Sequence, residues 1–225
     1  MPKPIIAEEG EVFDIELEED ILKRNREIAD SNRKLLDEKG ITAIDVMGSI
    51  GSGKTAILES LSEALRGRYR IAVIAGDVTT SIDAERIHKR GVASVQINTG
   101  KECHLDANLV AKALRALDLG ALDLIFIENV GNLICPAEFE LGAHMRIVVV
   151  SVTEGEYMVT KHPFIFMASQ VAVINKIDMA RYMGVDPNGL EREAKRINPK
   201  IAVVKMSART GEGVKELIKA LGLKP

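Results

Sequence analysis

The stretch Gly48-Ser49-Ile50-Gly51-Ser52-Gly53-Lys54-Thr55 fits G-x-x-x-x-G-K-[ST]. It follows an apolar run at residues 41–47 and leads into a helical pattern of Ala56, Ile57, Leu58, Leu61, Ala64 and Leu65. A strand, a glycine-rich turn and a helix in this order make a phosphate-binding loop. The glycines let successive backbone N–H groups turn toward one anion, and the helix adds the positive end of its dipole. Lys54 then reaches toward the β- and γ-phosphates, while the Thr55 hydroxyl is a Mg²⁺ ligand. The bland reading is an ordinary strand-turn-helix, and the flanking pattern argues against it.

The rest of the chain repeats the alternation. Further strands are expected at residues 70–75, 94–97, 122–127, 145–152, 170–174 and 201–206, with helical stretches or loops between them. Seven strands in βα order predict an α/β P-loop NTPase fold, a seven-stranded mostly parallel sheet with helices on both faces. Residues 1–18 carry two prolines, a glycine and many acids without a period, and read as an extended arm. From residue 19 to 39 the pairs Ile21/Leu22, Ile28/Ala29 and Leu35/Leu36 recur every seven residues before Gly40, an amphipathic helix. Residues 1–40 are thus expected to form an arm and a helix packed on a P-loop domain at 41–225; a helix-helix dimer contact is the alternative use of that stripe.

Composition narrows the partners. With 33 acidic against 30 basic residues and a net charge of −3, and no basic block interleaved with aromatics, nucleic acid is not expected as a partner. Apolar runs such as 147–150 fall far short of the ~20 residues that span a bilayer, and Pro2-Lys3-Pro4 leads into acidic sequence rather than a signal peptide. No membrane association and a cytoplasmic location are therefore expected. Two cysteines, Cys103 and Cys135, do not make a disulfide framework.

The chemistry-bearing residues cluster just past expected strand ends, which is the ligand edge of an open parallel sheet. In Gly76-Asp77-Val78-Thr79-Thr80, Asp77 is placed to approach Mg²⁺, and Thr79-Thr80-Ser81-Ile82-Asp83 reads as a switch loop. Ser81 or Asp83 serves equally well as a helix cap. Glu128-Asn129-Val130-Gly131 offers a carboxylate for Mg²⁺ or its water and a glycine N–H for the γ-phosphate. Asn175-Lys176-Ile177-Asp178 fits N-K-x-D. A carboxylate at Asp178 accepts from the ring N1–H and the 2-amino group of guanine together, whereas adenine offers neither donor on that edge. Ser207-Ala208-Arg209-Thr210-Gly211 is a turn positioned against the purine. The expected nucleotide-binding set is Gly48, Ser49, Ile50, Gly51, Ser52, Gly53, Lys54, Thr55, Ala56, Gly131, Asn175, Lys176, Asp178, Ser207, Ala208 and Arg209. Lys54, Thr55, Asp77 and Glu128 are the expected catalytic group, the last three organising Mg²⁺.

Cys103 and His104 fall in Asn98-Thr99-Gly100-Lys101-Glu102-Cys103-His104-Leu105-Asp106, near an expected helix start whose dipole favours a thiolate. Cys135-Pro136 lies four residues past Gly131. All three side chains are expected on the phosphate edge of the sheet. By spacing alone they are either inert thiols or metal ligands. His88, His144 and His162 read as surface or satisfied structural residues.

P-loop, E-N-V-G, N-K-I-D and S-A-R in that order resemble a P-loop GTPase over about residues 41–222, except that Glu128 stands where most small GTPases have Asp. Together with the segments at 76–80, 98–106 and 128–136, this is similar to the HypB family of nickel-incorporation GTPases of hydrogenase maturation, from the helix at 25–39 to the C-terminus. The resemblance implies a metallochaperone that binds GTP and GDP with Mg²⁺, hydrolyses GTP slowly, and forms a nucleotide-dependent homodimer. It further implies nickel delivery to a hydrogenase large subunit alongside other nickel-insertion accessory proteins, with Cys103, His104 and Cys135 holding Ni²⁺ or Zn²⁺ near the interface. Lys161 resembles a family lysine that contacts nucleotide across the dimer. Residues 1–87 hold no cysteine or histidine, so this sequence departs from those members that carry an N-terminal cysteine-rich or histidine-rich nickel segment, and tight N-terminal nickel binding is not expected. The rival readings are a regulatory GTPase with a structural zinc, a urease-type nickel GTPase, and a P-loop kinase, which would not need N-K-I-D.

Overall fold

Seven runs of Val, Ile, Leu and Ala pair into one sheet: β1 (Thr42–Gly48), β2 (Ile71–Asp77), β3 (Ala93–Asn98), β4 (Leu124–Glu128), β5 (Met145–Ser151), β6 (Val171–Asn175) and β7 (Ala202–Lys205). The strand order is β3-β2-β4-β1-β5-β6-β7, and every ladder is parallel. The computed structural model describes residues 15–78 and 82–224, and within helices not the side chains of 15–18 and 82–84. The helices are α1 (Ile15–Lys39), α2 (Lys54–Ala64), α3 (Ile82–His88), α4 (Ala107–Ala116), α5 (Met158–Lys161), α6 (Pro163–Met167), α7 (Ala180–Met183), α8 (Pro187–Ile197) and α9 (Val214–Ala220).

Strands this apolar must be covered on both faces, and the period of two along each strand sorts residues between them. On β1, Ile44 and Val46 pack with Ile57, Leu58 and Leu61 of α2 and with Leu217 and Ile218 of α9. Ala43 goes to the opposite face with Leu36 of α1 and Val110 and Leu114 of α4. Met47 joins Phe166 of α6 and Leu190 of α8. The fold is the expected one, with a sheet that is parallel throughout.

Two boundaries differ in a way that matters. Pairing of Asp77 with Asn98 and of Glu128's strand with Val46 carries β2 and β4 further than local sequence suggested, so Asp77 and Glu128 terminate strands instead of following them. The backbone ladder therefore holds both carboxylates. After β5 the chain forms two short helices that were not anticipated, and Pro163 at the start of α6 explains the break between them.

The helix α1 starts earlier than its periodicity indicated and lies on the body of the same chain. Ala29 and Leu36 are buried, Leu22, Ile28 and Leu35 half-buried. Two buried asparagines anchor it. Asn25 Oδ1 accepts from Ala107 N at 2.8 Å and its Nδ2 donates to Glu140 O at 2.8 Å. Asn32 Nδ2 donates to Ala107 O and Leu141 O at 2.8 and 3.2 Å. Gly142, at φ +88°, lets the backbone approach the helix so closely that a Cβ there would lie 2.4 Å from Ala29 O.

Candidate functional site

The phosphate loop joins the C-terminal end of β1 to α2. Gly53 occupies the N-cap of α2 in the left-handed region, φ 100°, and no side chain caps the helix, an arrangement that suits an anion at its N-terminus. A Cβ on Gly53 would lie 2.3 Å from Asn175 Nδ2, and one on Gly48 2.3 Å from Val149 O. The buried Lys54 ammonium donates to Gly48 O and Ser49 O at 3.2 and 3.1 Å, spanning the loop. The buried Thr55 hydroxyl donates to Glu128 Oε1 at 2.7 Å. These groups line a cleft of about 320 Å³ together with Ile50, Gly51, Ala56, Asp77, Arg86, Asn129 and Gly131. Hydroxyl and carboxylate oxygens converging beside a lysine fit a hard divalent cation and a phosphate chain. Gly131 sits under Ile50, where a Cβ would be 2.9 Å from the Ile50 amide nitrogen.

On the far side of the loop, Asn175 is buried and spends its amide internally. Nδ2 donates to Ser52 O at 2.9 Å and Oδ1 accepts from Ala208 N at 3.1 Å, tying the phosphate loop to the Ser207–Arg209 turn. Asn175 thus braces the phosphate loop against that turn. Lys176 adopts φ 60° and donates to Gly51 O at 2.6 Å. Asp178 Oδ1 is buried with no hydrogen-bond partner, and Arg209 stands 4.0 Å from the other oxygen. An orphaned buried carboxylate oxygen beside the phosphate loop is the acceptor that a guanine edge needs.

The thiols come together. Cys103 Sγ is 3.1 Å from Cys135 Sγ and 3.9 Å from His104 Nδ1, and one ligand atom from each of the three residues falls within 4.8 Å of the others. The His104 ring lies 3.9 Å from the Phe139 ring. Burial lowers the His104 pKa, which favours the neutral imidazole that can donate a lone pair. Burial, reinforced by Cys103, pushes the Cys135 thiol up. Cys103 lies four residues before α4, whose Ala107 and Leu109 amides donate to Asn25 and to the Asp106 cap.

The remaining sequence candidates separate. Thr79, Thr80, Ser81 and the side chain of Asp83 lie outside the described residues. Lys161 is exposed at the end of α5. His144 accepts from Ala43 N and pairs with Asp37, His162 bonds Met158 O, and His88 is exposed on α3. Arg86, missed in the sequence, lines the cleft and pairs with Glu59 at 3.0 Å; its place on the helix just after the switch segment was the available signal.

Residues 42–205 match the family model described as CobW/HypB/UreG, nucleotide-binding domain. A probable hydrogenase maturation factor HypB from Methanocaldococcus jannaschii is 53% identical over 204 residues, covering 91% of this chain and 92% of that protein. The crystal structure of HypB from Archaeoglobus fulgidus superposes with a TM-score of 0.83 at 42% identity, covering 89% of this chain and 98% of that one. The structure of Helicobacter pylori HypB in complex with nickel gives 0.84 at 33% identity, covering 88% and 93%. Among the described residues no helix is long and apolar enough to cross a membrane.

Proposed function

Because the chain belongs to the CobW/HypB/UreG family, and to HypB within it, we propose that it is a slow GTPase and metallochaperone that assists nickel insertion into hydrogenase. The observation that carries this reading is the convergence of Cys103, His104 and Cys135 at the same sheet edge as the cleft of Lys54, Thr55 and Glu128. The helix α1 packs on a GTPase domain at 41–225, and the arm expected before it lies, through residue 14, outside the described residues.

Amides of residues 48–56 and the Lys54 ammonium hold the phosphates of GTP, and the Gly131 N–H responds to the γ-phosphate. Bound Mg²⁺ would neutralise charge developing on the β- and γ-oxygens. Thr55, Glu128 and Asp77 would hold it or its waters. Asp178 accepts from guanine, with Lys176 and the 207–209 turn beside the base and Asn175 holding that turn in place. Ni²⁺ is the cargo. Two thiolates and an imidazole would bind it, and the exposure of Cys103 leaves room for a recipient's ligand to exchange in. The same donors suit a tetrahedral Zn²⁺, so the two metals compete. GTP-dependent homodimerisation, with Lys161 reaching the partner's nucleotide, brings two such sites together for accessory proteins and the hydrogenase large subunit in the cytoplasm.

The test is phosphate release from GTP against ATP, with nickel stoichiometry measured on the same protein and on Cys103→Ala. Hydrolysis confined to GTP and nickel lost in the variant are expected. Equal hydrolysis of ATP, or nickel retained at full stoichiometry by Cys103→Ala, would overturn the reading.

A further inference from the structure

Behind the thiols runs a buried polar seam of Asp45, Asn129 and Arg146, of which only Asn129 also lines the nucleotide cleft. Asp45 of β1 is fully buried and stands opposite Arg146 of β5 in the parallel register. Both project to the face where one apolar cluster, around α1 and α4, gives way to another, around α6 and α8. Asp45 Oδ2 accepts from Arg146 Nε at 3.4 Å, and its Oδ1 accepts from Asn129 Nδ2 at 3.3 Å. Ions in such a setting are costly to desolvate, and stability alone is weak ground for keeping them.

Each partner of Asp45 holds a different thiol loop. Asn129 Oδ1 accepts from the Leu105 amide at 3.0 Å, one residue past His104. Arg146 donates to the carbonyls of Pro136, Ala137 (3.1 Å) and Phe139 (3.4 Å), the segment that immediately follows Cys135. The Phe139 ring then packs on His104, closing the circuit between the loops. Leu105 is held further by its contact with Gly76, where a Cβ would lie 2.8 Å from its side chain. Asn129 also follows Glu128 directly, and Glu128 accepts from Thr55 in the phosphate cleft.

We propose that Asp45, Asn129 and Arg146 are positioning residues that set the spacing between the Cys103-His104 loop and the Cys135 loop, and that Asn129 links this spacing to the position of Glu128. The proposal rests on the reading of the thiols as a nickel site. Asp45 fixes the separation of the two donors, since one carboxylate binds both. Asn129 has both ends of its amide committed, so a displacement at the end of β4 draws the Leu105 amide, and His104 with it. The three carbonyl contacts of Arg146 require a planar fork of donors, which a lysine ammonium does not provide.

The experiment is nickel titration by chelator competition on the full chain, with the nickel–thiolate charge-transfer spectrum recorded. Arg146→Lys keeps a positive charge beside Asp45 but loses the fork. It is expected to weaken nickel binding by about ten- to a hundredfold and to alter the spectrum, as lost outer contacts do at metal sites. GDP affinity should stay within about twofold, because Arg146 lies outside the phosphate cleft. Asn129→Ala is expected to bring the ratio of nickel affinities with GDP and with a non-hydrolysable GTP analogue toward unity. If Arg146→Lys fails to fold, Asp45→Asn, of the same shape without the charge, carries the same comparison. Wild-type nickel affinity and spectrum in the folded variant, with binding abolished in Cys103→Ala, would overturn the positioning role while leaving the nickel site intact. Full nickel binding in Cys103→Ala would instead refute the nickel site on which the proposal depends.

Discussion

Replacing Asp178 by Asn should convert a guanine site into a xanthine site. Asp178 Oδ1 is buried without a hydrogen bond, and its neighbour Arg209 is 4.0 Å away and largely exposed, so no internal donor competes for the base. A carboxylate there accepts two bonds from guanine, each worth about 1.5–3 kcal/mol because the acceptor is charged. The side chain is 21% exposed, so the lower figure applies to each bond. Asn keeps one oxygen for N1–H, so one such bond is lost, about 1.5 kcal/mol or more, a roughly tenfold or greater rise in the Kd for GDP. The Asn amide also turns an N–H toward the 2-position of the base, which repels the guanine 2-amino group and suits the 2-oxo group of xanthine. Fluorescent-nucleotide titration with GDP and XDP tests this. The reasoning is refuted if the variant retains GDP affinity within about threefold of wild type, or if XDP binding does not improve.

Gly48→Ala should lower stability by about 3 kcal/mol or more, because the new Cβ would lie 2.3 Å from Val149 O, a backbone atom of β5. Thermal or urea unfolding reads it, and an unchanged transition would contradict the packing. Burial raises the Asp45 pKa from 3.8 to about 6, so the folded chain binds the extra proton between those values. Its stabilising contribution is therefore present below the unfolded value and lost as pH rises through about 6. Relative to Asp45→Asn, wild type should lose on the order of 3 kcal/mol between about pH 4 and pH 7, and parallel pH–stability curves would refute this. Because burial raises the Cys135 thiol, nickel must displace a tightly held proton. Apparent nickel affinity should climb with pH through neutrality, by up to about tenfold per unit for each proton released, and a flat profile by chelator competition would exclude Cys135 as a ligand.

Much of the architecture was legible because each apolar strand ends at a residue with its own chemistry. Met47 to Gly48, Ile127 to Glu128 and Ile174 to Asn175 are such junctions. What local sequence cannot show is how far pairing extends a strand: Asp77 looks like loop, yet its bond partners on β3 keep it in the ladder. Cys103 and Cys135 are 32 residues apart, and their approach depends on β3, β2 and β4 lying side by side. Asp45 and Arg146 were visible as charges inside apolar runs, but only the β1–β5 register makes them partners. Asn25, Asn32 and Asn175 were hidden differently. Asparagine looks alike as a solvated side chain, a base contact or a buried brace, and the carbonyls that decide come from distant segments.

The central claim is that the nucleotide cleft and the thiol site form one device. The most direct test is nickel affinity and stoichiometry by chelator competition with GDP and with a non-hydrolysable GTP analogue, with Cys103→Ala as the control. A coupled device predicts that affinity differs between the two nucleotide states by about five- to 150-fold, the usual range of coupling between linked sites, and that both affinities collapse in the variant. Identical nickel affinity in the two states would contradict the claim and leave the thiols as a metal site indifferent to GTP.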